Sequence, residues 1–140
     1  MKQRTITIYA DGGARGNPGP AGAGAVVYAP NGEVAATVSM FLGITTNNWA
    51  EYEALIQGLA GAQALFGNPI LEHVAVKLDS ELVVRQMKGE YRVKHPELKK
   101  QYARVQKLLA GFPHISFTHV RREHNAIADR LANDAMDRGA

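Results

Sequence analysis

Four acids, Asp11, Glu51, Asp79 and Asp129, stand where carboxylates do chemistry, each closing an apolar strand-like run or riding an amphipathic helix. Asp11 follows Ile6-Thr7-Ile8-Tyr9 and opens a glycine-rich stretch, while Asp79 follows Val74-Ala75-Val76-Lys77-Leu78 and precedes a helix. Open α/β sheets build their sites at the carboxyl ends of strands. A carboxylate there is a helix cap or a ligand, and several held together repel unless a hard cation neutralises them. Magnesium takes oxygen ligands and keeps some of its waters, so an acidic cluster with open coordination suits a phosphate substrate. Two such ions about 3.5–4 Å apart activate a water and stabilise a leaving 3′ oxygen in an in-line displacement. Taken singly, each acid is explained as well by capping or surface charge, and Asp79-Ser80 is a good helix start. Glu53, Glu81 and Asp134 receive no chemistry.

The remaining composition narrows the chemistry. With no cysteine in 140 residues, disulfides, thiolate nucleophiles and sulfur-ligated zinc are out, and the expected compartment is the cytoplasm. His73, His95, His114 and His119 lack metal-ligand spacing, which argues against a zinc hydrolase. No run approaches membrane-spanning length, and the amino terminus reads directly as strand without a signal-peptide core. The length fits a single domain spanning residues 1–140, expected to act as a monomer.

The elements that must position the acids follow from periodicity. Residues 3–10 alternate, 22–29 and 33–42 are strand-like, and Pro30-Asn31-Gly32 supplies the turn between the latter two. From Asn47 the period becomes helical, with Leu55, Leu59, Ala62 and Phe66 on one stripe and Gly67-Asn68-Pro69 ending it. A strand at 73–78, a short helix at 80–88, a helix from Pro96 to about Ala110, a strand at 115–120 and a last helix from Asn125 to about Asp137 complete the chain. That helix is expected to turn Ile127, Leu131 and Ala135 or Met136 inward. The order predicts an α/β fold: a mixed five-stranded sheet, an antiparallel meander plus parallel strands one, four and five, with helices on both faces. Right-handed crossovers then bring all four acids to one edge of the sheet.

Several motifs border that edge. The stretch Asp11 to Gly22 has glycines that let a ligand approach main-chain N–H groups, and equally reads as a wide bend; it lacks the Gly-Lys-Ser/Thr of a Walker loop. Thr45-Thr46-Asn47-Asn48 reads as a helix cap whose amides also suit the edges and sugars of a duplex. Arg121-Arg122-Glu123-His124-Asn125 joins a strand end to a cap, with Asn125 as N-cap. Eight of the 16 Lys and Arg residues lie between Arg85 and Lys107, either a solvated face or an electrostatic footprint for nucleic acid.

Four motifs in order carry a resemblance that covers nearly the whole chain: Tyr9-Ala10-Asp11-Gly12-Gly13 through Asn17-Pro18-Gly19, Thr45 to Glu51, Leu78-Asp79-Ser80, and Asn125 to Ala132. In these the chain resembles the type 1 ribonuclease H family. The resemblance implies an RNase H-like fold and endonucleolytic cleavage of the RNA strand of an RNA/DNA hybrid, leaving 5′-phosphate and 3′-hydroxyl ends. It also implies two Mg2+ ions, with Mn2+ as a substitute, held by Asp11, Glu51, Asp79 and Asp129. Gly12, Gly13, Arg15, Asn47 and Asn48 would meet RNA sugars, and Asn17 and Thr46 a phosphate of the DNA strand. Two departures stand out. The family's catalytic histidine precedes the last aspartate in a longer loop; here that position falls on Glu123, leaving His124 and Arg122 as candidates for its role. The family's tryptophan-bearing substrate protrusion has no tryptophan here, so grip would fall to Lys94, Lys99, Lys100 and Arg104. The competing readings are a non-cleaving hybrid-binding module and a related nuclease acting on double-stranded RNA or DNA junctions.

Overall fold

The computed structural model describes residues 4–67 and 72–140; the expected break at Asn68-Pro69 lies outside them. Five strands, β1 (Thr5–Ala14), β2 (Gly19–Tyr28), β3 (Val34–Thr45), β4 (His73–Leu78) and β5 (Ile115–His119), form one sheet in the order β3-β2-β1-β4-β5. The meander β1-β2-β3 is antiparallel, and β4 and β5 lie parallel to β1 and to each other, as the sequence predicts. Helices α1 (Asn47–Phe66), α2 (Glu81–Met87), α3 (Pro96–Leu109) and α4 (Ala126–Arg138) complete the fold. Among the described residues no helix is long and apolar enough to cross a membrane.

The two faces of the sheet follow from alternation. Ile6, Ile8 and Ala10 of β1, Ala23, Ala25 and Val27 of β2, and Val74, Val76 and Leu78 of β4 are buried on one face with Leu55, Leu59 and Ala62 of α1. Gly58 of α1 presses on this face, where an added Cβ would come within 2.9 Å of Ile8 Cγ2. The expected apolar stripe of α1 is too narrow: Ala50, Tyr52, Ala54 and Ile56 are also buried, because α3 covers the outer side of α1 with Leu98 and Val105. Glu53, on that outer side, is buried too and accepts hydrogen bonds from Arg104, Gln101 and Gln57. A helix covered on two sides loses the one-sided pattern by which sequence reading finds its face.

Helix α4 covers the opposite face with Ala135 inward as expected, whereas Ile127 is not. Ala128, Ala132 and Ala135 are buried, while Ile127 is 51% exposed. The cause is closeness. A Cβ on Gly24 would lie 2.2 Å from the Ala128 carbonyl oxygen, and one on Gly22 would lie 2.4 Å from that of Ala132. Backbone packed on backbone favours alanine at the centre of the contact, with Leu131 and Met136 half-buried at its sides.

The glycine-rich stretch is mostly strand. Pairing of β1 with β2 runs unbroken from Thr7↔Tyr28 to Ala14↔Ala21, so only residues 15–18 connect them. Strand β4, in contrast, ends its pairing with β1 at Ala10↔Leu78. Asp11 therefore sits inside a strand, at the residue where β1 loses its parallel neighbour.

Candidate active site

The gap beyond Leu78 is where the acids meet. Asp11 is the first β1 residue past the last β4 pair, and Asp79 follows Leu78 directly. Glu51 reaches the same place because Gly12 has no side chain: a Cβ there would stand 2.1 Å from the Ala50 carbonyl oxygen and 2.6 Å from the Glu51 nitrogen. Gly12, singled out in the sequence for ligand approach, has a packing role here: it lets α1 lie directly on β1. Gly22 and Gly24 do the same for α4, whose first turn carries Asp129. Gly12, Gly22 and Gly24 are what allow two helices to deliver their acids to the strand.

Carboxylate oxygens of Asp11, Glu51 and Asp79 lie within 4.8 Å of one another. Asp129 lies beside Asp11, and all four acids line one cleft of about 420 Å³. Burial, followed by the charges of Asp79 and Asp129, pushes the Asp11 carboxyl up to about 9. Burial pushes Glu51 up to about 7; a hydrogen bond from Ser80 opposes this and the charge of Asp79 adds to it. Ser80 is also the N-cap of α2, its hydroxyl accepting from Val83 N at 3.3 Å. Clustered, partly buried oxygens that resist sharing negative charge are the donor set a hard divalent cation requires, so these residues fit magnesium or a similar ion.

Other candidate residues separate into three groups. Gly12, Gly13, Arg15 and Asn47 line the acidic cleft. Asn17, Thr46 and Asn47 hold the local backbone. Ala14 N donates to Asn47 Oδ1 at 2.7 Å, Asn47 N to Asn17 Oδ1 at 3.1 Å, and Trp49 N to Thr46 Oγ1 at 3.2 Å. Arg15 is tied to α4 through Asp137 at 2.7 Å and Asn133 Oδ1 at 3.3 Å. Asn48 is exposed outside the cleft lining.

At the departure from the family pattern, the 3-10 turn Arg122–His124 sends its two ends to different places. Arg122 lines the acidic cleft, with a guanidinium nitrogen 3.7 Å from Asp129 Oδ1; His124 lines a neighbouring cavity and not this one. The basic segment also divides: Arg104 is held by Glu53 and Lys100 by Glu97, whereas Lys94 and Lys99 are exposed and enter no ion pair among the described residues.

Asn125 departs from its expected role. It occupies the N-cap position of α4 without a side-chain capping bond. Its buried amide instead donates to the Ala10 carbonyl at 2.9 Å and to Asp79 Oδ1 at 3.4 Å, joining α4 to the strand ends that carry two of the acids. A cap and an anchor look alike in sequence, so nothing there distinguished them.

Comparison with known proteins agrees with this arrangement. A family model described as Reverse transcriptase-like matches residues 9–135. Bifunctional protein Rv2228c of Mycobacterium tuberculosis is 50% identical over 136 residues, 96% of this chain and 36% of that protein. Ribonuclease HI of Halobacterium salinarum is 43% identical over 132 residues, 94% of this chain and 64% of the relative. The chain thus spans little more than a third of the first curated relatives it matches. The crystal structure of LC11-RNase H1 in complex with an RNA/DNA hybrid superposes with a TM-score of 0.88 at 48% identity, covering 95% of this chain and 97% of that one. With its sheet order, its acids and its near-complete overlap with such relatives, this chain belongs to the type 1 ribonuclease H family.

Proposed function

We propose that the protein is an endoribonuclease that hydrolyses the RNA strand of RNA/DNA hybrids with two divalent cations, Mg2+ by preference, leaving 5′-phosphate and 3′-hydroxyl ends. The observation that carries this reading is the convergence of Asp11, Glu51 and Asp79 oxygens within 4.8 Å in a cleft that Asp129 also lines. Asp11, next to both Asp79 and Asp129, would hold the ions together with Glu51, Asp79 and Asp129. Bound magnesium supplies Lewis-acid stabilisation of phosphate charge and lowers the pKa of a coordinated water.

The protein's own groups do the rest. The Ser80 hydroxyl hydrogen-bonds the Glu51 carboxylate and fixes its orientation towards the cleft. Asn125 holds the Asp79 carboxylate in place from below. Arg122 extends an exposed positive charge beside Asp129, where it attracts the phosphate. Gly12 and Gly13 present bare backbone to the substrate at the cleft floor, so a sugar with its 2′-hydroxyl can approach closely. Exposed Lys94 and Lys99 supply phosphate grip away from the reacting centre.

The deciding experiment incubates labelled RNA/DNA hybrid, RNA duplex and DNA duplex with the protein and Mg2+ under one condition. Cleavage of the RNA strand of the hybrid, with 3′-hydroxyl products, is expected. Binding of the hybrid without cleavage would make the protein a binding module, and faster cleavage of either other duplex would refute the substrate assignment.

A further inference from the structure

A second cavity of about 580 Å³, larger than the acidic cleft, opens beside it on the α4 side of the sheet. Thr5, Thr7 and Tyr9 alternate with the buried Ile6, Ile8 and Ala10, so they share the face of β1 that carries Asp11. At about 3.3 Å per residue, Tyr9 lies ~7 Å from Asp11 along the strand. Tyr28 of β2 completes the aromatic wall, its ring meeting that of Tyr9 edge to face with centroids 5.9 Å apart. Half-exposed Ile127, on the first turn of α4, stands across from it in the same lining. The dimensions fall within the ordinary range of small-ligand sites.

Two features specify the occupant. Aromatic rings and an isoleucine offer apolar area to a flat body, while the Thr5 and Thr7 hydroxyls offer donors and acceptors to a polar edge. An unpaired nucleobase has that division, and aromatic side chains on a sheet are a recurrent way of stacking bases of single strands. The cavity neighbours the acidic cleft without sharing a lining residue with it. Arg122 at one end of the 3-10 turn lines the cleft, His124 at the other end lines the cavity, and Asn125, also in the cavity lining, is bonded to Asp79.

We propose that this cavity is a subsite for one unpaired base of the single strand flanking a hybrid segment, stacked on the Tyr28 ring with Tyr9 at its edge, next to the acidic cleft. It rests on the nuclease reading above and adds a preference for hybrid segments with single-stranded junctions over blunt ones. The test measures binding by fluorescence anisotropy with the Asp11→Asn protein, which is not expected to cut. Blunt hybrid is compared with hybrids carrying a three-nucleotide RNA or DNA extension at each end in turn, and with abasic extensions that keep the phosphates and lack the bases. A base-bearing extension at one end should tighten binding about tenfold, within the range for one base stacked on an aromatic side chain. The abasic extension should gain less than twofold, Tyr28→Phe should keep the gain, and Tyr28→Ala should lose it. Equal gains for abasic and base-bearing extensions, or no gain at either end, would overturn the subsite. If Tyr28→Ala does not fold, amide chemical shifts of Thr7, Tyr28 and Ile127 in the parent protein on adding a ribotrinucleotide carry the test. Shifts are expected there, and their absence overturns the proposal. Cleavage of blunt hybrid by the parent protein is scored separately, so failure of the nuclease reading and failure of the subsite give different results.

Discussion

Asp11 concentrates the electrostatics of the site. Its folded pKa is raised to about 9 from the ordinary 3.8, so the metal-free protein binds a proton there that the unfolded chain has released. By linkage, that raised value makes metal-free stability fall as pH rises from about 4 towards 9. Asp11→Asn removes this slope. In chelator its Tm should exceed that of the parent protein at pH 8, with the gap closing towards pH 4. Each kcal/mol corresponds to on the order of 4 °C in Tm at this size. Magnesium should reverse the order: at a hundredfold excess over Kd it stabilises the parent protein by about 2.7 kcal/mol, and the variant by much less. Cleavage by Asp11→Asn should fall by on the order of a thousandfold or more, the scale of charge stabilisation an ion provides. Thermal scans with and without chelator separate these effects from misfolding. Asn125 acts on the same centre from one step away. Asn125→Ala frees the Asp79 carboxylate, and Mg2+ affinity measured by calorimetry should weaken about 10- to 100-fold, as for other groups that orient metal ligands. Arg122→Ala should lower kcat more than His124→Ala does, because only Arg122 lines the acidic cleft.

Among the elements, glycine decides how closely helices approach the sheet. Gly24→Ala drives a methyl into the Ala128 carbonyl and must move α4, which carries Asp129; a loss of about 3 kcal/mol in urea unfolding is expected, the upper end for overpacking. Gly61 is the counter-example. It lies inside α1 with nothing within 4 Å of an added Cβ, so Gly61→Ala should stabilise the protein by about 0.5–1 kcal/mol. Opposite signs from the same substitution, measured in one denaturation series, distinguish close approach from general intolerance of alanine. Helix α3 is attached differently. The Glu53 carboxylate, buried on α1, takes hydrogen bonds from Arg104 and Gln101, and these hold it below the usual carboxylate range against the effect of burial. Arg104 is thereby committed to structure, although its sequence context suggested substrate grip.

At the scale of the molecule, charge is asymmetric even though the net value is only +3. The basic segment lies on and before α3, with Lys94 and Lys99 unpaired beside the committed Arg104 and Lys100. Hybrid binding should weaken linearly in log K against log salt as counterions are released. Lys94→Ala or Lys99→Ala should reduce the slope by about one unit and weaken all hybrid sequences alike, which is the signature of a phosphate contact. Arg104→Ala should leave the slope nearly unchanged and lower Tm instead, since it uncovers the buried Glu53. Anisotropy titrations between low and moderate salt, paired with melting curves, distinguish the two classes of cation.

The sequence by itself determined the order of elements, the sheet topology and the four acids. Alternation, helical period and short connections are local signals, and they place each acid on or beside an identifiable element. It also located the break in the family pattern before Asp129. Only the tertiary structure decided which glycines serve packing, because Gly12, Gly22 and Gly24 are explained by helix backbones far away in sequence. The same holds for Asn125, whose partners are Ala10 and Asp79, and for Glu53, whose partners lie on α3. The separation of Arg122 from His124 into two cavities depends on the direction of a three-residue turn, which no periodicity encodes. Local pattern specifies what each segment becomes; which side chains meet depends on how closely the segments pack, and that distance is fixed by contacts the chain makes only once folded.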